Sequence, residues 1–315
     1  MTQPEVPYPF VGLASNEETL VVASSSTIHA INTSTASSSS TSTQTFTLTS
    51  SSTSSTFIRL LAISPDSRYA ASISNDKGLR IYSLTPEAIT LESTRYLTKK
   101  ASDLTFMPET NDVLVSDKVG DCYLYPLIPK EIDINAEKLK KLDVQADPTL
   151  NPEATYLLGH VSVLTQHIFT EDRKHLITAD RDEHIRITRY PDTFVIERYL
   201  FGTDGFVSAI HIPEGHPDLL ISGGGEGILR LWNWQEGKQI GTVEIGDAIL
   251  PHRAVRSTLR KDKRKNKGTK AKRSDDPFYQ IPEGWMLPSG QGFLIRRIST
   301  LRIGDNIIVL FFSEG

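Results

Sequence analysis

The chain has 315 residues, 34 Lys and Arg against 38 Asp and Glu, a formal net charge of −4 and 38% hydrophobic residues. Its single cysteine, Cys122, excludes an intrachain disulfide and a cysteine-based zinc site, and favours a reducing compartment, cytosol or nucleus. Neither a signal peptide at MTQPEVPYPF nor an apolar run of membrane-spanning length is found, so no membrane partner is expected.

Short strands separated by turn residues run through the chain. The first three fall at Phe10–Ala14, Thr19–Ala23 and Thr27–Ile31, rich in Val, Ile and Leu. Thr33–Thr56 follows, with 20 Ser or Thr among its 24 residues. It has too little apolar surface to offset its ordering entropy, so the composition predicts a disordered loop, either a tolerated insertion or a phosphorylated one.

Phe57–Leu84 then repeats the unit as FIRLLAIS, PDSRY, AASIS, NDKG and LRIYSL, and TLESTRYL supplies an alternating strand. Pro65 and Asp66 suit a turn, because Pro presets φ and Asp bonds its own downstream backbone. Ser102–Leu127 repeats the pattern again. Aligned on the last strand of each unit, Arg80, Tyr123, Arg186 and Arg230 share one register and lie 43, 63 and 44 residues apart. Two spacings match the ~40–45-residue period of WD-type repeats. Residues 126–151, with the AEKLKKL core, read as an inserted loop that accounts for the longer one.

Leu157–Tyr190, LLGHVSVLTQHIFTEDRKHLITADRDEHIRITRY, is the clearest unit: a Gly-His turn, three strands and two turns, preceded by the end of a fourth strand. It reads as one propeller blade. VIERYL, FVSAIHI, LLISGGG and ILRLWNW read as a fifth blade, and Gln239–Glu244 as the opening of a sixth. Residues 253–290 read as a basic inserted loop: Arg260–Arg273 holds nine Lys or Arg and one Asp. GFLIRRIST and NIIVLFF then continue the sixth blade. The expectation is an all-β WD-repeat propeller over residues 1–315, with about seven blades in the full protein and a C-terminally incomplete chain here.

Catalytic patterns are missing. There is no Gly-x-Ser-x-Gly elbow, no H-x-x-x-H helix pair, and Gly223–Gly225 is not followed by a helix as a phosphate cradle requires. Arg181-Asp182 lacks the companion motifs of a kinase loop. His160 is spaced for a structural hydrogen bond to the last turn of its blade. The ADRDEHIRIT string, residues 179–188, crowds more charge around a turn than the turn needs. It is either a solvated charged turn or a rim patch that docks another protein through charge-assisted contacts. The basic run is either an import signal on a solvated loop or a phosphate-binding arm through Arg260, Lys261, Lys263, Arg264, Lys265 and Lys267. It has no aromatic residue for base stacking.

LGHVS at 158–162, ITADRDE at 177–183 with Ile185-Arg186, Tyr190-Pro191, and Phe201-Gly202 followed by Phe206–Ser208 carry a more specific match. This stretch resembles the WD-repeat, non-catalytic subunit of the tRNA (guanine-N(7)-)-methyltransferase, strongly over 155–245 and in register over 57–127. One departure is Thr203, where the family often has His. The resemblance implies a seven-bladed propeller without activity of its own, forming a heterodimer with a catalytic subunit that holds S-adenosylmethionine and methylates N7 of a guanine in the tRNA variable loop. It implies no cofactor on this chain, contact with tRNA through the complex, and a nuclear location. It places the partner contact at Arg186, with Arg181, Asp182, Glu183 and His184 as neighbours. A general WD scaffold, such as a ubiquitin-ligase adaptor or chromatin hub, is the competing reading.

Overall fold

The computed structural model describes residues 12–15, 19–32, 43–47, 57–129, 151–182, 185–249, 294–304 and 306–314. Among them the regular secondary structure is almost entirely antiparallel sheet. The first sheet is β1 (Gly12–Ser15), β2 (Thr19–Ser24), β3 (Thr27–Asn32) and β4 (Thr43–Thr47), in that order. The second is β5 (Ile58–Ile63), β6 (Tyr69–Ser74), β7 (Gly78–Leu84) and β8 (Ile89–Tyr96), and the third is β9 (Ala101–Phe106), β10 (Val113–Asp117), β11 (Asp121–Tyr125) and β12 (Thr155–Gly159). The fourth comprises β13 (Leu164–Phe169), β14 (His175–Asp180), β15 (Ile185–Arg189) and β16 (Ile196–Leu200), and the fifth β17 (Val207–His211), β18 (Leu219–Gly224), β19 (Ile228–Asn233) and β20 (Lys238–Glu244). A short helix α1 (Gly246–Ile249) precedes a two-stranded sheet, β21 (Leu294–Ile303) and β22 (Asn306–Glu314).

Four-stranded meanders of this kind are propeller blades. Two compact units are distinguished within the span read as one domain: 1–181 with 186–197, and 182–185 with 198–315. In the first, the leading strands stand side by side, β1 with β5, β5 with β9 and β9 with β13. In the second, β17 stands beside β21.

The core lies between blades rather than inside one. Ala71, Ile73, Leu79 and Ile81 of the second sheet pack with Leu104, Phe106, Val113 and Val115 of the third. Val21, Ala23 and Ile28 meet Ile58, Ala70 and Tyr82 in the same way. A blade covered on both faces loses the half-polar alternation of an exposed sheet. Accordingly all five residues from Gly78 to Tyr82 in β7 are buried.

The structure corrects three expectations about the strands. Part of the Ser/Thr-rich segment, residues 43–47, is a strand rather than disordered loop. It pairs with β3 (Ile28 opposite Phe46, Ala30 opposite Gln44), and Phe46 meets Tyr82 edge-on at 5.3 Å. Thr is β-branched and tolerates a strand, so a single anchoring ring and a ladder suffice there. VIERYL does not open the fifth blade; its Ile196–Leu200 portion is the outer strand of the fourth. Gln239–Glu244 does not open a sixth blade either, because β20 pairs with β19 along its length, Leu229 opposite Val243 and Trp232 opposite Gln239. The tight return at Asn233–Gly237, with Glu236 N–H donating to Asn233 Oδ1 at 2.9 Å and Gly237 at φ +71°, leaves the next strand no other neighbour.

Two ends of the expected insertion at 126–151 are held by β8. Arg95 Nη2 donates to the Leu127 carbonyl at 2.8 Å, its Nε lies 3.8 Å from Glu153 Oε1, and Asn151 Nδ2 donates to the Tyr96 carbonyl at 2.8 Å. Residues 130–150 and the basic loop expected at 253–290 lie outside the described residues.

Candidate docking site

The turn after β14 is anchored from below by His160. Its Nδ1 bonds Asp180 Oδ2 at 2.9 Å and its Nε2 bonds Thr178 Oγ1 at 2.9 Å, with the His160 and Asp180 side chains 3% and 5% exposed. A buried polar cluster of this kind is stable only when its members satisfy one another. Its consequence is that the Gly-His loop and the end of β14 move as one piece. Arg181 N–H donates to the Val163 carbonyl at 3.0 Å, which joins the same two segments through the backbone.

A second loop is knitted to the first. Asp117 Oδ1 accepts the N–H groups of Val119, Gly120 and Asp121 at 2.7, 3.0 and 3.1 Å. That fixes a turn in which Gly120 has φ +113°, and the His160 N–H donates to the Gly120 carbonyl at 2.8 Å. A Cβ on Gly120 would sit 2.4 Å from the His160 carbonyl oxygen, so only glycine allows this approach.

The tips of these loops face solvent. Val161 and Val119 are 105% and 53% exposed, and Arg181 and Asp182 are exposed as well. Exposed β-branched residues at two adjoining turn tips, with the exposed Arg181 beside them, form an apolar spot with a charged edge. The charged string alone drew attention in the sequence; Val119 and Val161 went unremarked. Their signal was two valines in turns that call for Gly, Asn or Asp.

Arg186 is not part of that exposed rim. It is only 6% exposed, and Ile185, Ile187 and Thr188 around it on β15 are fully buried. Its Nη1 donates to the Gly159 carbonyl at 3.0 Å, while its Nε is buried with no hydrogen-bond partner among the described residues. The partner contact that the resemblance places at Arg186 therefore falls on a side chain that is buried in this chain, because both faces of its strand are covered. Residues in the same register differ from it. Arg80 pairs with Asp76 four residues earlier, and Arg230 pairs with Glu226 at 2.7 Å and with Gln239 at 2.8 Å. Glu183 and His184 lie outside the described residues, as do Arg260, Lys261, Lys263, Arg264, Lys265 and Lys267.

No group of three or more His, Cys, Asp or Glu among the described residues is arranged to hold a metal ion. Cys122 is buried, and burial pushes its thiol up to about 12, the side of the scale on which a thiol is inert.

The model of the tRNA methyltransferase TRM82 WD40 domain matches residues 15–157 and 134–273. The chain belongs to the TRM82 WD40 family. Within curated proteins, the TRM82 family stretch is 39% identical over 198 residues to the tRNA (guanine-N(7)-)-methyltransferase non-catalytic subunit wuho of Drosophila mojavensis, covering 62% of this chain and 45% of that protein. It is 31% identical over 206 residues to the non-catalytic subunit TRM82 of Candida glabrata, covering 62% and 45%. The wuho protein of Drosophila melanogaster is 36% identical over 209 residues, 65% and 43%. The matched stretch thus spans less than half the length of these relatives. Among solved structures, a chain of the mitotic checkpoint complex aligns with a TM-score of 0.55 at 16% identity, over 74% of this chain and 63% of that one. At that identity the likeness concerns the fold alone, and it agrees with a WD-repeat propeller.

Proposed function

We propose that this chain is a non-catalytic WD-repeat subunit of a tRNA (guanine-N(7)-)-methyltransferase. It pairs as a heterodimer with a catalytic subunit that carries S-adenosylmethionine, and works in the nucleus on tRNA through that complex. The observation that carries this reading is the family match across 15–273, which includes the blade-four string that a general scaffold has no reason to carry. The curated relatives named as non-catalytic subunits support it.

In this reading the docking contact is the apolar spot of Val119 and Val161 with Arg181 at its rim. The buried Arg186 is a positioning residue that holds the Gly159 carbonyl and thereby the Gly-His loop. A rigid, pre-bonded loop loses little freedom on binding, which favours affinity. Such a surface stabilises a partner conformation without touching the methyl donor.

The test is co-purification with the catalytic methyltransferase subunit, followed by an N7-guanine methylation assay on tRNA. Val161→Asp and Arg181→Glu, both at exposed positions, are expected to weaken capture at least ten-fold and to lower methylation, with melting temperature unchanged. Undiminished capture and methylation in the double variant would remove the assignment of this surface. If the native chain captures no methyltransferase subunit, the general-scaffold reading replaces the present one.

A further inference from the structure

The loops on the same side of the first unit as the Val161 turn carry a strip of lysines. Leu97 N–H donates to the Lys77 carbonyl at 2.9 Å, and Lys77 Nζ donates to the Thr98 carbonyl at 3.1 Å. This places the Asn75–Lys77 turn against residues 98–100. Lys118 N–H donates to the Lys100 carbonyl at 2.9 Å, so the next turn continues the line, and Gly120 then joins it to His160. Lys99, Lys100 and Lys118 are exposed and Lys77 is half-buried. Among the described residues none of the four is in an ion pair.

The acidic groups on these loops are mostly committed elsewhere. Asp76 holds the Arg80 guanidinium and the Gly78 N–H, at 2.8 Å for the latter. Asp117 is buried and caps three backbone N–H groups. Asp121 faces Lys99 electrostatically, and it is half-buried. The strip is therefore a net cationic surface supplied by flexible point charges on rigidly bonded loops.

Its composition selects a partner. Lysine is depleted in protein–protein contacts, whose anchors are aromatic rings, Met and Arg, whereas it serves phosphate well as a point charge. No aromatic residue stands at 75–77, 98–100 or 118–120, so these loops themselves carry no ring for bases to stack on. We propose that Lys77, Lys99, Lys100 and Lys118 form a phosphate-binding strip for the backbone of a structured RNA, without base readout. This deepens the reading above, because it lies beside the proposed docking surface and would present RNA to a partner held there. It is distinct from the run at 260–273.

The experiment measures binding of a fluorescein-labelled, unmodified tRNA transcript to the full chain by anisotropy between 50 and 200 mM salt, for the native chain and a Lys99→Gln, Lys100→Gln, Lys118→Gln triple variant. Capture of the catalytic methyltransferase subunit is measured in parallel. Each phosphate contact contributes about 0.9 to the slope of log K against log salt on a duplex. The triple variant is expected to bind at least ten-fold more weakly, with a slope flatter by roughly 2 to 3, while the corresponding Lys→Arg triple variant keeps native affinity and slope. An RNA affinity and slope unchanged in the Gln variant overturns the proposal, as does a native chain that fails to bind the transcript at 50 mM salt. Loss of methyltransferase capture with RNA binding intact also overturns it, and assigns the strip to an acidic protein surface. If the native chain captures no methyltransferase but the Gln variant still loses RNA, the subunit reading fails and the strip stands.

Discussion

Asp103 of β9 accepts the backbone N–H of His167 of β13 at 2.8 Å, and the two carry the join between the third and fourth blades. The imidazole is completely buried. Its Nδ1 bonds Ser116 Oγ at 2.7 Å and its Nε2 bonds Thr105 Oγ1 at 2.9 Å. Every polar edge of this ring is thus engaged by the neighbouring blade.

That arrangement predicts acid sensitivity in the mildly acidic range. Burial lowers the His167 pKa, and the nearby Asp103 carboxylate opposes this only in part. In the unfolded chain the ring takes up a proton near pH 6.5, while in the folded chain it stays neutral to lower pH. The stability from this site is therefore complete above that value and declines as pH falls below it. His29 and His211, both lowered by burial, act in the same direction. Melting temperature is expected to fall between pH 7 and pH 5, and His167→Gln to flatten part of that slope. A native curve flat over this range would disprove the account.

A second, separate loss belongs to stronger acid. Burial alone would raise the Asp66 carboxyl, but hydrogen bonds from Ser64, Asn111 and Arg68 outweigh it and hold it well below the carboxylate range. A depressed carboxylate adds stability above its unfolded pKa that is lost as pH falls through the folded value. Asp66→Asn should therefore leave the loss between pH 7 and pH 5 intact and diminish the loss below about pH 4. Circular dichroism melts across the two windows separate these effects.

Gly120→Ala tests the knitting of the two loops. The φ of +113° and a Cβ placed 2.4 Å from the His160 carbonyl oxygen are both incompatible with a side chain. The expected cost is about 2 to 4 kcal/mol by chemical denaturation, because backbone strain and a backbone clash act together. A cost under ~0.5 kcal/mol, the scale of a neutral surface change, would show that the loops are not held as described.

Charge reversal at Arg186 should act on folding before it acts on binding. Arg186→Glu places a carboxylate beside the Gly159 carbonyl in a buried position, and about 3 to 5 kcal/mol of destabilisation is expected. Arg186→Met removes the charge at similar volume and is expected to cost much less, since it also removes the unpaired Nε. Denaturation of both variants beside wild type checks the order. Equal, small losses would place the guanidinium in solvent after all.

Much of the fold was legible in the strands themselves. FIRLLAIS, AASIS and LRIYSL show β-branched and apolar residues between Pro-Asp and Asn-Asp turns, and the repeat spacing of Arg80, Tyr123, Arg186 and Arg230 announces successive blades. The site was legible only in part. TADRDE marked the turn and its exposed Arg181 and Asp182, but a linear pattern could not separate Arg181 from Arg186 by burial. Val119 and Val161 were missed because each is a lone apolar residue in its turn, and their nearness is a product of Gly120 bonding His160.

The sequence alone therefore determined the strands, their turns, the repeat and the family string, since these depend on residues close in the chain. Only the tertiary structure decided which blade owns β16 and β20, that β4 is a strand, and that Arg186 is buried. An outer strand such as β8 or β16 shows which of its residues are polar but not which strand it pairs with. Ladder partners and the cover on both faces of a blade arise from segments far apart in sequence, so no short window contains them.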